Sequence, residues 1–423
     1  MAYLKTLCFT LKEFPRTLQN PLSRSRTHIL TVFLLFLSLF LLSRSYNYHH
    51  SSASASTAVT LASRFLLVST AFDPGPSSQT LASCDIFDGA WVRDDDDAGP
   101  VYGPGACPYL DDAFNCFKNG RPDLDYLKYR WKPRGCQIPR LLRGKRVVFV
   151  GDSLNRNMWE SLVCALRESV KDKTKISQVS GRRDLRTQGF RSFRFREYGC
   201  SIDFIKSPFL VQEWKYGRDP HRETLRLDMM QASKSEYHDA DIIIFNTGHW
   251  WNHHKTSNGR NYFQEGNHVY EKLEVREALS KALKTWGKWV DSKVDSTRTR
   301  VFFTGFSASH YRGGQWNSGG KCDGEREPIR NESYLGGIPW TMRIVERVIR
   351  EMKTPVFYLN ITTMTDFRKD GHPSLYRGHR MHQDVQDCSH WCLPGIPDFW
   401  NQLLYSTLLN AHLHNNYFPT ASA

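Results

Sequence analysis

Short, almost unbroken apolar runs recur after residue 145: RVVFV (146–150), IDFIK (202–206), PFLVQEW (208–214), DIIIFN (241–246), RVFFTGF (300–306) and PVFYLNI (355–361). Each has strand length. Several lack the polar alternation of a strand with one wet face, so they read as strands buried on both faces of a parallel sheet. Between them apolar residues recur at helical spacing: Val275, Ala278, Leu279, Ala282, Leu283, Trp286 and Val290 in one segment, Met342, Ile344, Val345, Val348, Ile349 and Met352 in another. That alternation predicts a layered α/β domain. At 423 residues and 40% hydrophobic content the chain can build a sizeable core.

The N-terminal part is of another kind. ILTVFLLFLSLFLLS, Ile29–Ser43, carries no charge and follows a basic region. At ~1.5 Å per helical residue it falls somewhat short of a hydrocarbon core of roughly 30 Å. A secretory signal peptide is the competing reading, with ASA at Ala53–Ala55 as a cleavage site. The long basic region before it favours an uncleaved anchor. The expected organisation is therefore a cytosolic tail (1–28), a signal-anchor transmembrane helix (29–43), a Ser/Ala/Thr/His-rich lumenal stem (44–83) and a lumenal domain (84–423). Within that domain, 84–145 is Cys-rich and 146–423 holds the catalytic core. Asp94–Asp97 reads as a solvated turn.

The cysteines agree with an oxidising compartment. Apart from Cys8 on the cytosolic side, Cys84, Cys107, Cys116, Cys136, Cys164, Cys200, Cys322, Cys388 and Cys392 fall in the lumenal part, an odd number that leaves at least one outside any intrachain pair. Zinc is the rival use, but there is no CxxC pair, so disulfides are expected and no metal site. Asn331 and Asn360 open sequons available for glycosylation.

The chemistry concentrates in RVVFVGDSLNRNMWESL, 146–162: a buried strand, a Gly151-Asp152-Ser153 turn and a helix. Ser153 then stands at the carboxyl end of a parallel strand, where open α/β sheets place ligands. Gly151 permits an unusual backbone angle, and the amides after it can receive an oxyanion. The same serine would equally serve as the helix N-cap, and this stretch alone does not decide between the two. A nucleophile needs a base and the base an orienting group. DVQDCSHWCLPGIPDFWNQLLY, 384–405, supplies Asp387 and His390 three residues apart, bracketed by Cys388 and Cys392.

GDSLNRNMWESL and DCSHWCLPGIPDFWNQLLY, with CDIFDGAWV, NCFKNGRPDLDYLKYRWKPRGC, FNTGHWWNH and GGQWNSGGKCDGE between or before them, resemble the trichome birefringence-like family of plant cell-wall polysaccharide O-acetyltransferases. The resemblance implies a GDSL/SGNH-hydrolase-like α/β fold with parallel strands, elaborated by a second disulfide-stapled lobe that forms a cleft. It implies Ser153 as nucleophile, His390 as general base and Asp387 as its orienting carboxylate. It also implies the pairs Cys84–Cys136, Cys107–Cys164, Cys116–Cys392 and Cys322–Cys388, leaving Cys200 over. Arg156 and Asn246 are candidates for oxyanion, donor or substrate contact, and Trp250, Trp251 and Trp316 for stacking on sugars, although an indole is more often core. His249 is open between the two roles.

The expected partners are a Golgi membrane, a matrix polysaccharide acceptor and an acetyl donor, acetyl-CoA or a carrier loaded from it; no bound cofactor is expected. Xylan, mannan, xyloglucan and pectin are the acceptors the resemblance allows. The formal charge of +14 leaves a basic excess beyond the N-terminal 45 residues, to which RRDLRTQGFRSFRFRE (182–197) contributes heavily, and it leans slightly toward acidic pectin. Nucleic acid is not expected, since no zinc-finger, RNP-type or basic-helix pattern occurs. A hydrolytic acetyl esterase and a non-catalytic wall-polymer-binding protein are the alternatives.

Overall fold

The computed structural model describes residues 87–93, 99–133, 145–180, 189–215, 223–378 and 385–413. The tail, apolar run and stem expected at 1–83, Asp94–Asp97, Cys84 and Cys136 lie outside the described residues. Among the described residues no helix is long and apolar enough to cross a membrane.

β1 (Gly89–Arg93) pairs antiparallel with β2 (Tyr129–Pro133). The main sheet takes β3 (Arg146–Gly151), β4 (Ile176–Ser180), β5 (Phe190–Phe195), β6 (Cys200–Lys206), β9 (Ile242–Phe245), β12 (Arg300–Thr304) and β13 (Val356–Leu359) in the order β13-β12-β9-β3-β6-β5-β4. From β13 to β6 it is parallel, and β5 and β4 add an antiparallel edge. β7 (Val211–Lys215), β8 (Glu223–Met230), β10 (Phe263–Glu265) and β11 (His268–Val269) form a second sheet in the order β11-β10-β8-β7. The helices are α1 (Ser153–Ser169), α2 (Val275–Lys293), α3 (Trp340–Glu351), α4 (Thr362–Asp366) and α5 (Ile396–Leu413).

The unbroken apolar runs have a direct cause. In β3, Val147 and Phe149 enter one core with Trp159 and Leu162 of α1 and Trp400 and Leu404 of α5. Val148 and Val150 enter the opposite core with Leu279 and Trp286 of α2 and Met342 of α3. β9 divides the same way, Ile242 and Ile244 on one side, Ile243 and Phe245 on the other. Successive side chains point to opposite faces, and both faces are covered, so polar alternation has no place there.

Two expectations change. The run at 208–214 does not join the parallel sheet: Leu210 takes a left-handed backbone conformation (φ 63°), and β7 starts after it in the second sheet. The basic stretch 182–197 is in part strand β5, where Phe193, Phe195 and Arg191 are all buried. Of its arginines among the described residues, Arg191 is buried while Arg194 and Arg196 are exposed, so the stretch is in part core and not one continuous basic face.

The carboxyl ends of β3, β6, β9 and β12 lie along one sheet edge, and β3 stands at the point where successive parallel connections depart to opposite sides. Crevices form at such a switch point. Disulfides Cys107–Cys164, Cys116–Cys392 and Cys322–Cys388 staple the N-terminal segment and the loop before α5 over this edge. They are three of the four pairs implied by the resemblance, and the thiol of Cys200 is buried. Arg121 of the N-terminal segment reinforces the staple by donating to the carbonyls of Asp370, 2.6 Å, and His372, 3.0 Å.

Candidate active site

The turn after β3 is built around a near-contact. A Cβ on residue 151 would stand 1.8 Å from Asn246 Oδ1 and 2.6 Å from the Asn246 carbonyl oxygen, so only glycine lets β3 and β9 close there. Asp152, not Ser153, caps α1: its Oδ1 accepts from the Leu154 amide at 2.9 Å. The helix-cap reading of the serine is thereby removed. Ser153 is the first residue of the helix, and its hydroxyl is left for another partner.

That partner is His390. Ser153 Oγ donates to His390 Nε2 at 2.6 Å, while His390 Nδ1 donates to Asp387 Oδ2 at 2.7 Å. The three-residue spacing has a local explanation. Asp387 Oδ1 accepts from the amides of Ser389 (3.2 Å) and His390 (3.0 Å), closing a turn that brings the imidazole back onto Oδ2. Burial would raise the Asp387 carboxyl; its pairing with His390 and these hydrogen bonds outweigh burial and hold it well below the usual carboxylate range.

Ser153 and His390 are 237 residues apart, and contacts that the sequence reading did not single out set their distance. Asn157, one turn into α1, accepts from the Trp391 amide (2.8 Å) and donates to the Trp391 carbonyl (3.2 Å), clamping the residue beside the histidine. Trp391 Nε1 donates to Ser307 Oγ at 2.8 Å. Phe114, fully buried, packs its ring against His390 with centroids 5.3 Å apart. His372 donates from Nδ1 to the His390 carbonyl at 2.6 Å and takes a bond from His310 Nδ1 at 2.7 Å, while His310 Nε2 faces the Asp366 carbonyl at 2.9 Å. The Asp366 carboxylate also lies 3.5 Å from His310 Nε2. Burial, with His310 adding to it, pushes the His372 imidazole well below its ordinary value.

The remaining candidates divide. Asn246 does not reach substrate space, because both of its amide atoms are spent on Asp152: Oδ1 accepts from the Asp152 amide (2.9 Å) and Nδ2 donates to Oδ1 (2.7 Å). His249 is also turned inward, donating from Nδ1 to Asp152 Oδ2 and from Nε2 to the Ser307 carbonyl, both at 3.1 Å. Facing an acceptor at each nitrogen, it satisfies both only as the imidazolium. Burial opposes its charge, but Asp152 outweighs burial and the His249 value is raised; Asp152 is lowered by the same pairing. Arg156 is neither solvated nor at the sheet edge. It pairs with Asp111 at 2.7 Å over the Phe114 ring. Trp251 is core, 2% exposed, with Nε1 on Thr247 Oγ1. Trp316 is 41% exposed. Of the sequons, Asn331 is exposed and Asn360 half-buried.

A cavity of about 270 Å³ opens on Ser153 and His390. The N-terminal segment lines it with Phe114, the sheet edge with Lys206 and Pro208, the loop after β9 with Trp250 and the segment before the Asp387 turn with Arg377. Trp250 is thus the indole of the three that faces the site. Phe114, Asn157, His372 and Gln386 were not singled out from sequence. Asn157 shares its helix face with Ser153, Leu154, Glu160 and Ser161, so no apolar pattern set it apart.

A hydroxyl on a strand-to-helix turn, bonded to an Asp-oriented imidazole above a parallel sheet edge, is the arrangement of serine-dependent acyl-ester enzymes. The chain belongs to the GDSL/SGNH-like acyl-esterase family found in Pmr5 and Cas1p, whose model matches residues 135–407, preceded by a PMR5 N-terminal domain over 82–137. More particularly, its relatives are trichome birefringence-like proteins. It is 60% identical to protein trichome birefringence-like 4 of Arabidopsis thaliana over 363 residues, 80% of this chain and 79% of the relative. Identity to protein trichome birefringence of the same plant is 54%, covering 78% of this chain and 57% of that one. For protein trichome birefringence-like 1 it is 53%, over 78% and 62%.

Proposed function

We propose that this protein is an O-acetyltransferase that moves an acetyl group from acetyl-CoA, or a carrier loaded from it, to hydroxyls of a plant cell-wall matrix polysaccharide. The observation that carries this reading is the unbroken Ser153–His390–Asp387 chain at a cavity wide enough for a sugar. In the first half-reaction His390 Nε2 takes the Ser153 proton as Oγ attacks the acetyl carbonyl. The thioester C–S bond breaks, and the thiolate leaves as thiol with the proton from His390. In the second, His390 takes the proton of a sugar hydroxyl, whose oxygen attacks the acetyl-serine; Ser153 Oγ departs and is reprotonated. The Ser153 amide, at the N-terminal end of α1, is the donor we assign to the oxyanion.

The domain spans 84–423, held in the Golgi lumen by the 29–43 anchor as a type II protein with its tail cytosolic and a 44–83 stem. Among matrix polymers the net charge favours pectin over xylan, mannan and xyloglucan. Hydrolysis is the second reading, favoured by the family's acyl-esterase description. Both are tested by incubating the purified chain with acetyl-CoA and deacetylated wall oligosaccharides, then locating acetyl groups by mass spectrometry and NMR. Acetylated oligosaccharide with transient acetyl on the Ser153 peptide is expected; free acetate alone assigns hydrolysis, and no acetyl-Ser153 overturns both.

A further inference from the structure

The charged groups around the cavity are mostly answered by partners: Asp387 by His390, Asp152 by His249, Arg156 by Asp111. Two lysines beside them are not. Lys206, at the end of β6 and on the cavity wall, and Lys255, on the loop after β9, have no carboxylate within ion-pair distance among the described residues, and both are exposed. What they do have is indole. Lys206 Nζ stands 5.9 Å from the Trp250 ring centroid, and Lys255 Nζ stands 4.8 Å from Trp250 and 4.8 Å from Trp316. Cation and ring therefore alternate outward from the cavity: Lys206, Trp250, Lys255, Trp316.

The outer ring is placed with care. Trp316 is carried by a loop closed by the Arg312–Lys321 bridge, and a Cβ on Gly320 would meet the Gly314 carbonyl oxygen at 2.6 Å. The loop is then tied to the catalytic turn twice. Cys322 is disulfide-bonded to Cys388, and Gln386, next to Asp387, accepts from the amides of Cys322 (2.7 Å) and Asp323 (2.8 Å). A large, half-exposed indole on so braced a loop keeps its position relative to His390. The rings restrain the ammonium groups without neutralising them, and each lysine keeps N–H donors for an anionic oxygen.

We propose that Lys206 and Lys255, braced on Trp250 and Trp316, form a subsite that receives carboxylates of an acidic, uronate-bearing polysaccharide. The subsite rests on the acyl-transfer reading and determines which acceptor that site selects. Two separated cations leading away from the nucleophile suit a polymer with a carboxylate on successive units. The phosphates of an acetyl-CoA donor share the anionic chemistry and are the other source the experiment must separate.

The test is steady-state transfer by the purified chain onto oligogalacturonides and onto neutral xylo-oligosaccharides, for wild type, Lys206→Gln, Lys255→Gln and the double variant, with exposed Lys288→Gln as surface control. The acidic-over-neutral ratio of kcat/KM is expected to fall about two- to fivefold per lysine and about tenfold in the double variant, with the largest effect at low salt. Lys288→Gln is expected to keep the wild-type ratio. An unchanged ratio overturns the subsite, and a rise in KM for acetyl-CoA with an unchanged ratio overturns it in favour of a donor phosphate site. Direct titration of oligogalacturonide into Ser153→Ala is independent of turnover: binding that weakens with the lysine substitutions supports the subsite even where transfer fails, and no binding overturns it while leaving acyl transfer standing.

Discussion

Two Asp–His pairs flank Ser153, and they do opposite things. Asp387–His390 leaves Nε2 on a hydroxyl, a partner that can surrender its proton. Asp152–His249 leaves Nε2 on the Ser307 carbonyl, which has none to give. The first pair has the geometry of a general base. The second is a buried ion pair whose charge holds the α1 cap, the β9 exit and the loop after β12 together. The residue types are identical, so the identity of the third group alone separates a reactive histidine from a structural one.

The comparison is broken most severely at its reactive member. Ser153→Ala or His390→Ala is expected to lower acetyl transfer by about 10,000-fold or more, read as loss of acetyl-Ser153 and of product. Asp387→Asn should cost about 1,000- to 10,000-fold in kcat with little change in KM, because the amide no longer selects the tautomer with Nδ1 protonated. Smaller effects are expected at the second pair. His249→Gln removes the imidazolium and should destabilise the fold by about 1–3 kcal/mol near pH 6, measured by chemical denaturation. Because the folded His249 holds its proton above the ordinary value of 6.5, its contribution is fully present below that pH and is lost as pH rises through the raised value. The gap between wild type and His249→Gln should therefore narrow toward pH 9.

A further stability test concerns a buried carboxyl on the same helix that has no such histidine. Glu160 is pushed up to about 7 by burial, which the attraction of Arg156 at 4.0 Å only partly offsets. The folded state thus holds this proton more tightly than the unfolded chain. Stability is present below about 4.5, the ordinary value, and falls as pH rises toward 7. Glu160→Gln keeps an acceptor for the Asp111 amide and should flatten that decline, on the order of 3 kcal/mol, in melting curves from pH 5 to 8.

Much of the parallel sheet was legible, because strands buried on both faces leave unbroken apolar runs and the helices over them leave a 3.6-residue period. β5 and β8 were not. Their polar residues interrupt the runs, and Arg191 is buried in β5 despite its charge. α5 was also missed, since its burial against α1 on one side and the sheet core on the other removes the amphipathic signal. In the site, the DxxH turn was readable because its geometry is local. Asn246 was read toward substrate and His249 was left open, and both face inward, for nothing in FNTGHWW says which side of the strand end Asp152 occupies.

The sequence by itself determined the apolar layers, the Gly-Asp-Ser exit from a buried strand and the Asp387–His390 turn, all governed by contacts within a few residues. Only the tertiary structure decided that Asp152 takes the helix cap and frees Ser153, that Asn157 clamps Trp391 beside His390, and that one histidine of two receives the serine. Those outcomes depend on side chains up to 237 residues apart, whose separation is set by how the layers close and not by any local pattern.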